Sequence, residues 1–203
     1  MKAPPWEKVV SRRSWLLAGL TLPLSRAWEL SPLQVRYDGE TVRVSAPALH
    51  FLTGKPLERL KDGDAVAYLA SLELLDEAKG PLRQLRGRFV VSYALWEDRF
   101  AVTQLAAGRQ IEGLTATAAE AWCLDGMSVN TIGLPTDRYY WLRFVIHTAS
   151  ATDLAAEGLP GLSFKQLVKW LGRKPSEQSQ WGPLERRVRL TDLPRIAGRG
   201  SRG

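Results

Sequence analysis

The chain is predicted to be mainly β, an antiparallel β-sandwich of roughly immunoglobulin-like size with one or two short helices, followed by a C-terminal amphipathic helix and a basic tail. Three observations predict this. Four stretches between residues 41 and 148 alternate apolar and polar side chains at period two, as strands with one buried face do. Turn-forming pairs punctuate them closely (Asp38-Gly39, Asp62-Gly63, Gly80-Pro81), which suits antiparallel hairpins better than long parallel crossovers. Helical spacing is confined to short segments.

The elements follow in order. Leu33–Tyr37 and Thr41–Leu49 flank Asp38-Gly39 as a first hairpin, with Val42 and Val44 on one face. Leu57–Leu60 suits a short helix, and Asp62-Gly63 then turns the chain into a strand over Asp64–Leu75, where Val66, Tyr68, Ala70, Leu72 and Leu74 share one side. Lys79-Gly80-Pro81 breaks that strand. The alternation resumes over Arg86–Glu97, with Phe89, Val91, Tyr93 and Leu95 facing one way, and Asp98 turns into a fifth strand from Phe100. Thr115–Leu124 is alanine-rich with a threonine cap, which predicts a helix presenting Ala118, Ala121 and Trp122; Glu120 falls most simply on its exposed side, the alternative being that Glu120-Ala121-Trp122-Cys123 lines a pocket. Arg138–Thr148 is the last strand, with Tyr140, Leu142, Phe144 and Ile146 inward. In Ser163–Leu171, Phe164, Leu167, Val168 and Leu171 make an i, i+3, i+4, i+7 stripe stopped by Gly172 and Pro175. The organisation is therefore an export signal over residues 1–27, a sandwich domain over 28–150, a linker and amphipathic helix over 151–172, and a basic, largely disordered tail over 173–203, part of which Trp181, Leu184, Val188, Leu190 and Leu193 can anchor.

Candidate chemistry is sparse. One cysteine, Cys123, excludes an intrachain disulfide, and its apolar neighbours make it a buried small hydrophobe. His50 and His147 stand far apart in sequence with no metal-ligand spacing around either, so no metal or cofactor is expected and both read as structural. No Gly-x-Ser-x-Gly elbow or phosphate-binding glycine loop occurs, and no catalytic residue is assigned. Trp96-Glu97-Asp98-Arg99 is the candidate surface: its two carboxylates converge only if the run lies in a turn, because neighbours on a strand point to opposite faces. Trp96, Trp122, Tyr139, Tyr140 and Trp141 are numerous enough to form a binding platform, although a core role is the simpler reading.

The N-terminus carries a targeting pattern. Lys2, Lys8, Arg12 and Arg13 precede an apolar run from Trp15 to Leu24, which closes on Ser25-Arg26-Ala27 and suits cleavage after Ala27. That run is too short for a membrane span, which needs roughly 20 apolar residues. Ser11, Arg12, Arg13, Trp15 and Leu16 resemble a twin-arginine signal, with Trp15 in the place of its Phe and Leu17 in the place of its Lys. An ordinary secretory signal and an amphipathic helix packed on the domain are the alternatives. Without residues 1–27 the charge falls to 23 basic against 20 acidic, and residues 173–203 hold eight of the basic ones against three acidic. The excess thus sits in a tail, which argues against nucleic-acid binding and for contact with an anionic envelope surface.

Gly63, Asp64, Val66 and Tyr68, then Ser92-Tyr93-x-Leu95-Trp96-Glu97-Asp98-Arg99-Phe100, then Trp122-Cys123-Leu124 resemble an uncharacterised family of bacterial exported β-rich proteins over roughly residues 33–149. The resemblance implies an envelope setting and a β-rich domain and carries over no catalytic residue. The expectation is an exported, non-catalytic interaction or accessory protein that meets the export machinery and an envelope partner. The alternatives are a hydrolase of envelope glycans or esters using Glu97, Asp98 or His147, and a structural protein that self-associates through the Phe164 helix.

Overall fold

The computed structural model describes residues 33–156 and 178–195. The signal motif, Ala27 and the Phe164 helix lie outside the described residues. Within them the chain is mainly β, with two antiparallel sheets and three short helices. The smaller sheet has the order β1-β2-β7, from β1 (Gln34–Tyr37), β2 (Thr41–Ser45) and β7 (Ser128–Asn130). The larger has the order β6-β5-β4-β3-β8-β9, from β3 (Val66–Leu75), β4 (Pro81–Ala94), β5 (Arg99–Gln104), β6 (Arg109–Leu114), β8 (Tyr139–Ala149) and β9 (Gln180–Arg189).

Alternation decides which faces meet. Val66, Tyr68, Ala70, Leu72 and Leu74 of β3 are buried, as are Tyr140, Leu142, Phe144 and Ile146 of β8 and Phe89 and Val91 of β4. These join Val35, Val42, Val44 and Val129 of the smaller sheet in one core, closed by Ala119, Cys123 and Leu124 of α2 (Ala116–Asp125) and Leu60 of α1 (Gly54–Lys61). The other face of the large sheet has a smaller apolar patch, where Leu154 of α3 (Ala151–Ala156) covers Ala67, Val90 and Ala149. Burying a Leu- or Phe-sized side chain stabilises by about 1.5–3 kcal/mol, so the first cluster dominates the fold.

Turn chemistry sets the register. Asp38 accepts from the backbone N–H groups of Glu40 (3.1 Å) and Thr41 (2.7 Å) and from the Thr41 hydroxyl (2.5 Å), while Gly39 takes a φ of +105°. These donors hold the Asp38 carboxyl at about 2, below its ordinary 3.8. The break expected at Lys79-Gly80-Pro81 is instead a tight hairpin, in which Lys79 takes a φ of +62° and the Gly80 N–H donates to Asp76 Oδ1 at 2.7 Å. β4 therefore starts at Pro81, where a missing N–H costs least, and ends at Ala94 rather than Glu97.

Other expectations are corrected. β6 and β7 were not expected: β6 is a polar edge strand without alternation, and β7 has only three residues. On α2 the buried side comprises Ala119, Glu120, Cys123 and Leu124, while Ala118 and Ala121 are exposed. Alanine reads equally well on either face of a helix, so the Cys123-Leu124 pair was the better guide. The tail expected to lack structure contains β9, which pairs with β8 from Tyr139↔Arg189 to His147↔Gln180. Arg186 donates to the Leu33 carbonyl, Arg187 pairs with Glu77 (2.7 Å) and stacks on Tyr139 (4.0 Å), and Arg189 pairs with Asp192 (2.8 Å). Glu185 bridges Lys79 and Arg143 at 2.8 Å each, and both cations hold its carboxyl below the usual range. Three arginines counted as tail charge are thus committed to the sheet.

Two predictions test these turns and this core. A Cβ on Gly87 would lie 2.7 Å from the Phe89 ring, so Gly87→Val is expected to cost about 1–3 kcal/mol in urea denaturation. Because the folded-state pKa of Asp38 is depressed, its contribution is complete above 3.8 and is lost as pH falls toward 2. Urea midpoints measured between pH 4 and pH 2 should accordingly fall less steeply in Asp38→Asn than in the parent chain.

Candidate functional site

The β4–β5 hairpin projects Leu95, Trp96, Glu97 and Asp98 beyond the last paired residues, Ala94 and Arg99. Trp96 is 101 % exposed and Leu95 59 %, an unusual position for two large apolar side chains. The turn that carries them is fixed. The Glu97 N–H donates to the Ala94 carbonyl at 3.2 Å, Asp98 takes a φ of +52°, and Asp98 Oδ1 accepts from the Tyr93 hydroxyl at 2.5 Å. That bond raises the Tyr93 pKa, and the Tyr93 ring rests on Phe100 at 4.9 Å, which ties the turn to the core. Arg99 folds back so that Nη1 donates to the Asp98 carbonyl at 2.9 Å. Glu97 has no hydrogen-bonding or ionic partner for its side chain among the described residues.

The remaining candidates are dispersed. The carboxylates of Glu97 and Asp98 are not a working pair, because Asp98 is engaged by Tyr93. His147 lies on β8 opposite Leu69, which itself pairs with Arg88 of β4. Ala94 lies six positions beyond Arg88 on β4, roughly 20 Å at the strand rise, so His147 does not meet the hairpin tip. Nor do the aromatics form a platform. Tyr140 is buried, Trp122 packs edge-on against Phe89 (6.5 Å) beneath Arg109 (5.7 Å), and Trp141 lies under Lys79 at 4.8 Å. Among the described residues no group of three His, Cys, Asp or Glu side chains converges to hold a metal, and no helix is long and apolar enough to cross a membrane.

One polar constellation departs from the simpler sequence reading, which put Glu120 on the exposed face of the helix, and follows its alternative, in which Glu120, Ala121 and Trp122 line a pocket. Glu120 is 5 % exposed: Oε1 accepts from the N–H groups of Phe51 (2.7 Å) and Leu52 (2.8 Å), and Oε2 lies 2.9 Å from His50 Nδ1. This carboxylate fastens the loop before α1 to α2. Burial without such partners would be prohibitive, so the bonds explain how it is tolerated. The available signal was spacing, since Glu120 precedes Cys123 and Leu124 by three and four residues and so shares their helix face. Behind it, burial pushes the Cys123 thiol up and leaves it unreactive, in agreement with the sequence expectation. Beside it a cleft of about 430 Å³ opens between α2 and the chain after β2, walled by Ala46, Pro47, Leu49, Ala118, Ala121 and Trp122.

Comparison with protein families, with curated proteins and with solved structures finds no match to this chain. Replacing Glu120 by Ala strands two buried N–H groups and should cost about 3 kcal/mol, and Glu120→Gln, which keeps one acceptor, should cost less. Hydrogen exchange should accelerate at the Phe51 and Leu52 amides in both variants, more in the alanine one.

Proposed function

We propose that this is an exported, non-catalytic interaction protein of the bacterial cell envelope that engages a partner through the tip of its β4–β5 hairpin. Full exposure of Trp96 on a fixed turn is the observation that carries the reading. Trp side chains bury roughly 150–250 Å², so covering this one is worth about 4–6 kcal/mol before the costs of association. A turn already held by Tyr93, Asp98 and the Ala94 carbonyl loses little freedom on binding, which is how rigid aromatic anchors come to dominate interfaces. The export half of the reading is supported by Ser11, Arg12, Arg13, Trp15 and Leu16 and by the small residue Ala27, and membership of the uncharacterised exported family by the Ser92–Phe100 run. We further propose that the two antiparallel sheets be classed as a β-sandwich of roughly immunoglobulin-like size. The basic tail contributes less to this reading than its charge suggests, because Arg186, Arg187 and Arg189 are used within β9.

A binding role separates stability from activity. Trp96→Ala should leave the urea midpoint within about 0.5 kcal/mol of the parent, since the ring touches solvent on all sides. Fractionation of cells producing the full chain should place the parent protein outside the cytoplasm and retained on the envelope, and the variant outside the cytoplasm but released. Equal retention of the two would overturn the assignment of the tip, and a cytoplasmic location for both would overturn export.

A further inference from the structure

We infer that the partner of the hairpin tip is a protein surface with an apolar pocket rimmed by Lys or Arg, and neither a lipid bilayer nor a second copy of this chain; the inference rests on the reading of the tip as a binding surface. The charge around the anchor carries it. Trp96 is followed directly by Glu97, whose side chain makes no hydrogen bond or ion pair among the described residues, and then by Asp98. The single cation of the turn, Arg99, is drawn back onto the Asp98 carbonyl. A ring entering a pocket therefore brings an uncommitted carboxylate to its lip, and a cation there gains what an anionic or neutral lip does not. An anionic bilayer repels that carboxylate, and the tip has neither a basic cluster nor an amphipathic helix to supply the second signal that stable membrane attachment takes. A second copy presenting the same tip would bring Glu97 against Glu97.

Photocrosslinking in intact cells tests this. A p-benzoylphenylalanine in place of Leu95 leaves Trp96 and Glu97 in position, and the same group in place of the exposed Gln110 on β6 serves as the reference site. The expected result is a protein adduct of one mass from position 95. Its yield should fall about fivefold with Glu97→Lys, fall less with Glu97→Gln, and decline when cells are lysed before irradiation into rising salt. A lipid adduct, flotation of the purified chain with mixed phosphatidylcholine and phosphatidylglycerol vesicles, a dimer of the chain, or a protein adduct indifferent to Glu97 would overturn the inference while leaving the tip a binding surface. Adducts at position 95 no stronger than at position 110 would overturn the reading of the tip itself.

Discussion

Everything in this fold answers to one constraint: the inner face of β3, β4 and β8 is a continuous sheet of apolar side chains that water must not reach. The six-stranded sheet cannot cover itself. A three-stranded sheet contributes four valines, α2 adds Ala119, Cys123 and Leu124, and α1 adds Leu60. These covers come from separate parts of the sequence, so something must hold them to one another. Glu120 does this at the seam, where a single carboxylate on α2 holds the backbone of the loop leading to α1. An apolar residue at that position would fill the space but would leave two buried N–H groups without acceptors.

Period-two alternation made the sheet faces readable, because a strand buried on one side must repeat every second residue. Tyr68, Leu72, Phe144 and Ile146 lie where that rule puts them, and the Asp38-Gly39 turn has the chemistry its residues imply. The rule is silent about strands that bury little. β6 is an exposed edge and β9 reads as a Gly182-Pro183 break followed by a cluster of arginines, so their polar composition masked pairing that depends on the backbone. The candidate surface was visible as a cluster of unlike residues, but the exposure of Trp96 depends on where β4 stops pairing. Glu120 was hidden for a different reason, since a carboxylate is assumed to face water until its donors, seventy residues away in the chain, are known to be beside it.

Charge tells a similar story about context. The excess of arginine near the C-terminus invites a long-range electrostatic role, yet β9 spends it locally against Glu77, Asp192 and the Leu33 carbonyl, with Tyr139 stacked beneath Arg187. Arginine suits such a face, because its flat guanidinium stacks on a ring while its N–H groups reach a carboxylate. The result is an edge strand studded with paired charges, a form that discourages further strands from adding. The hairpin tip is the opposite case: Asp98 and Arg99 are engaged within the turn, and Glu97 is left uncommitted beside an exposed ring.

β9 closes β8, and immediately after it Pro194 accepts from the N–H of Tyr37 in β1 while Arg195 bridges to the same residue. The first strand of the described chain is thus secured by the last. A ribosome releasing this polypeptide in order produces β1 early and its latch late, so β8 waits with an uncovered edge until β9 emerges, and β1 waits for the residues near 195. The described fold is complete only when Tyr37 and Arg195 are present together, so losing the segment after β9 would be felt first in β1.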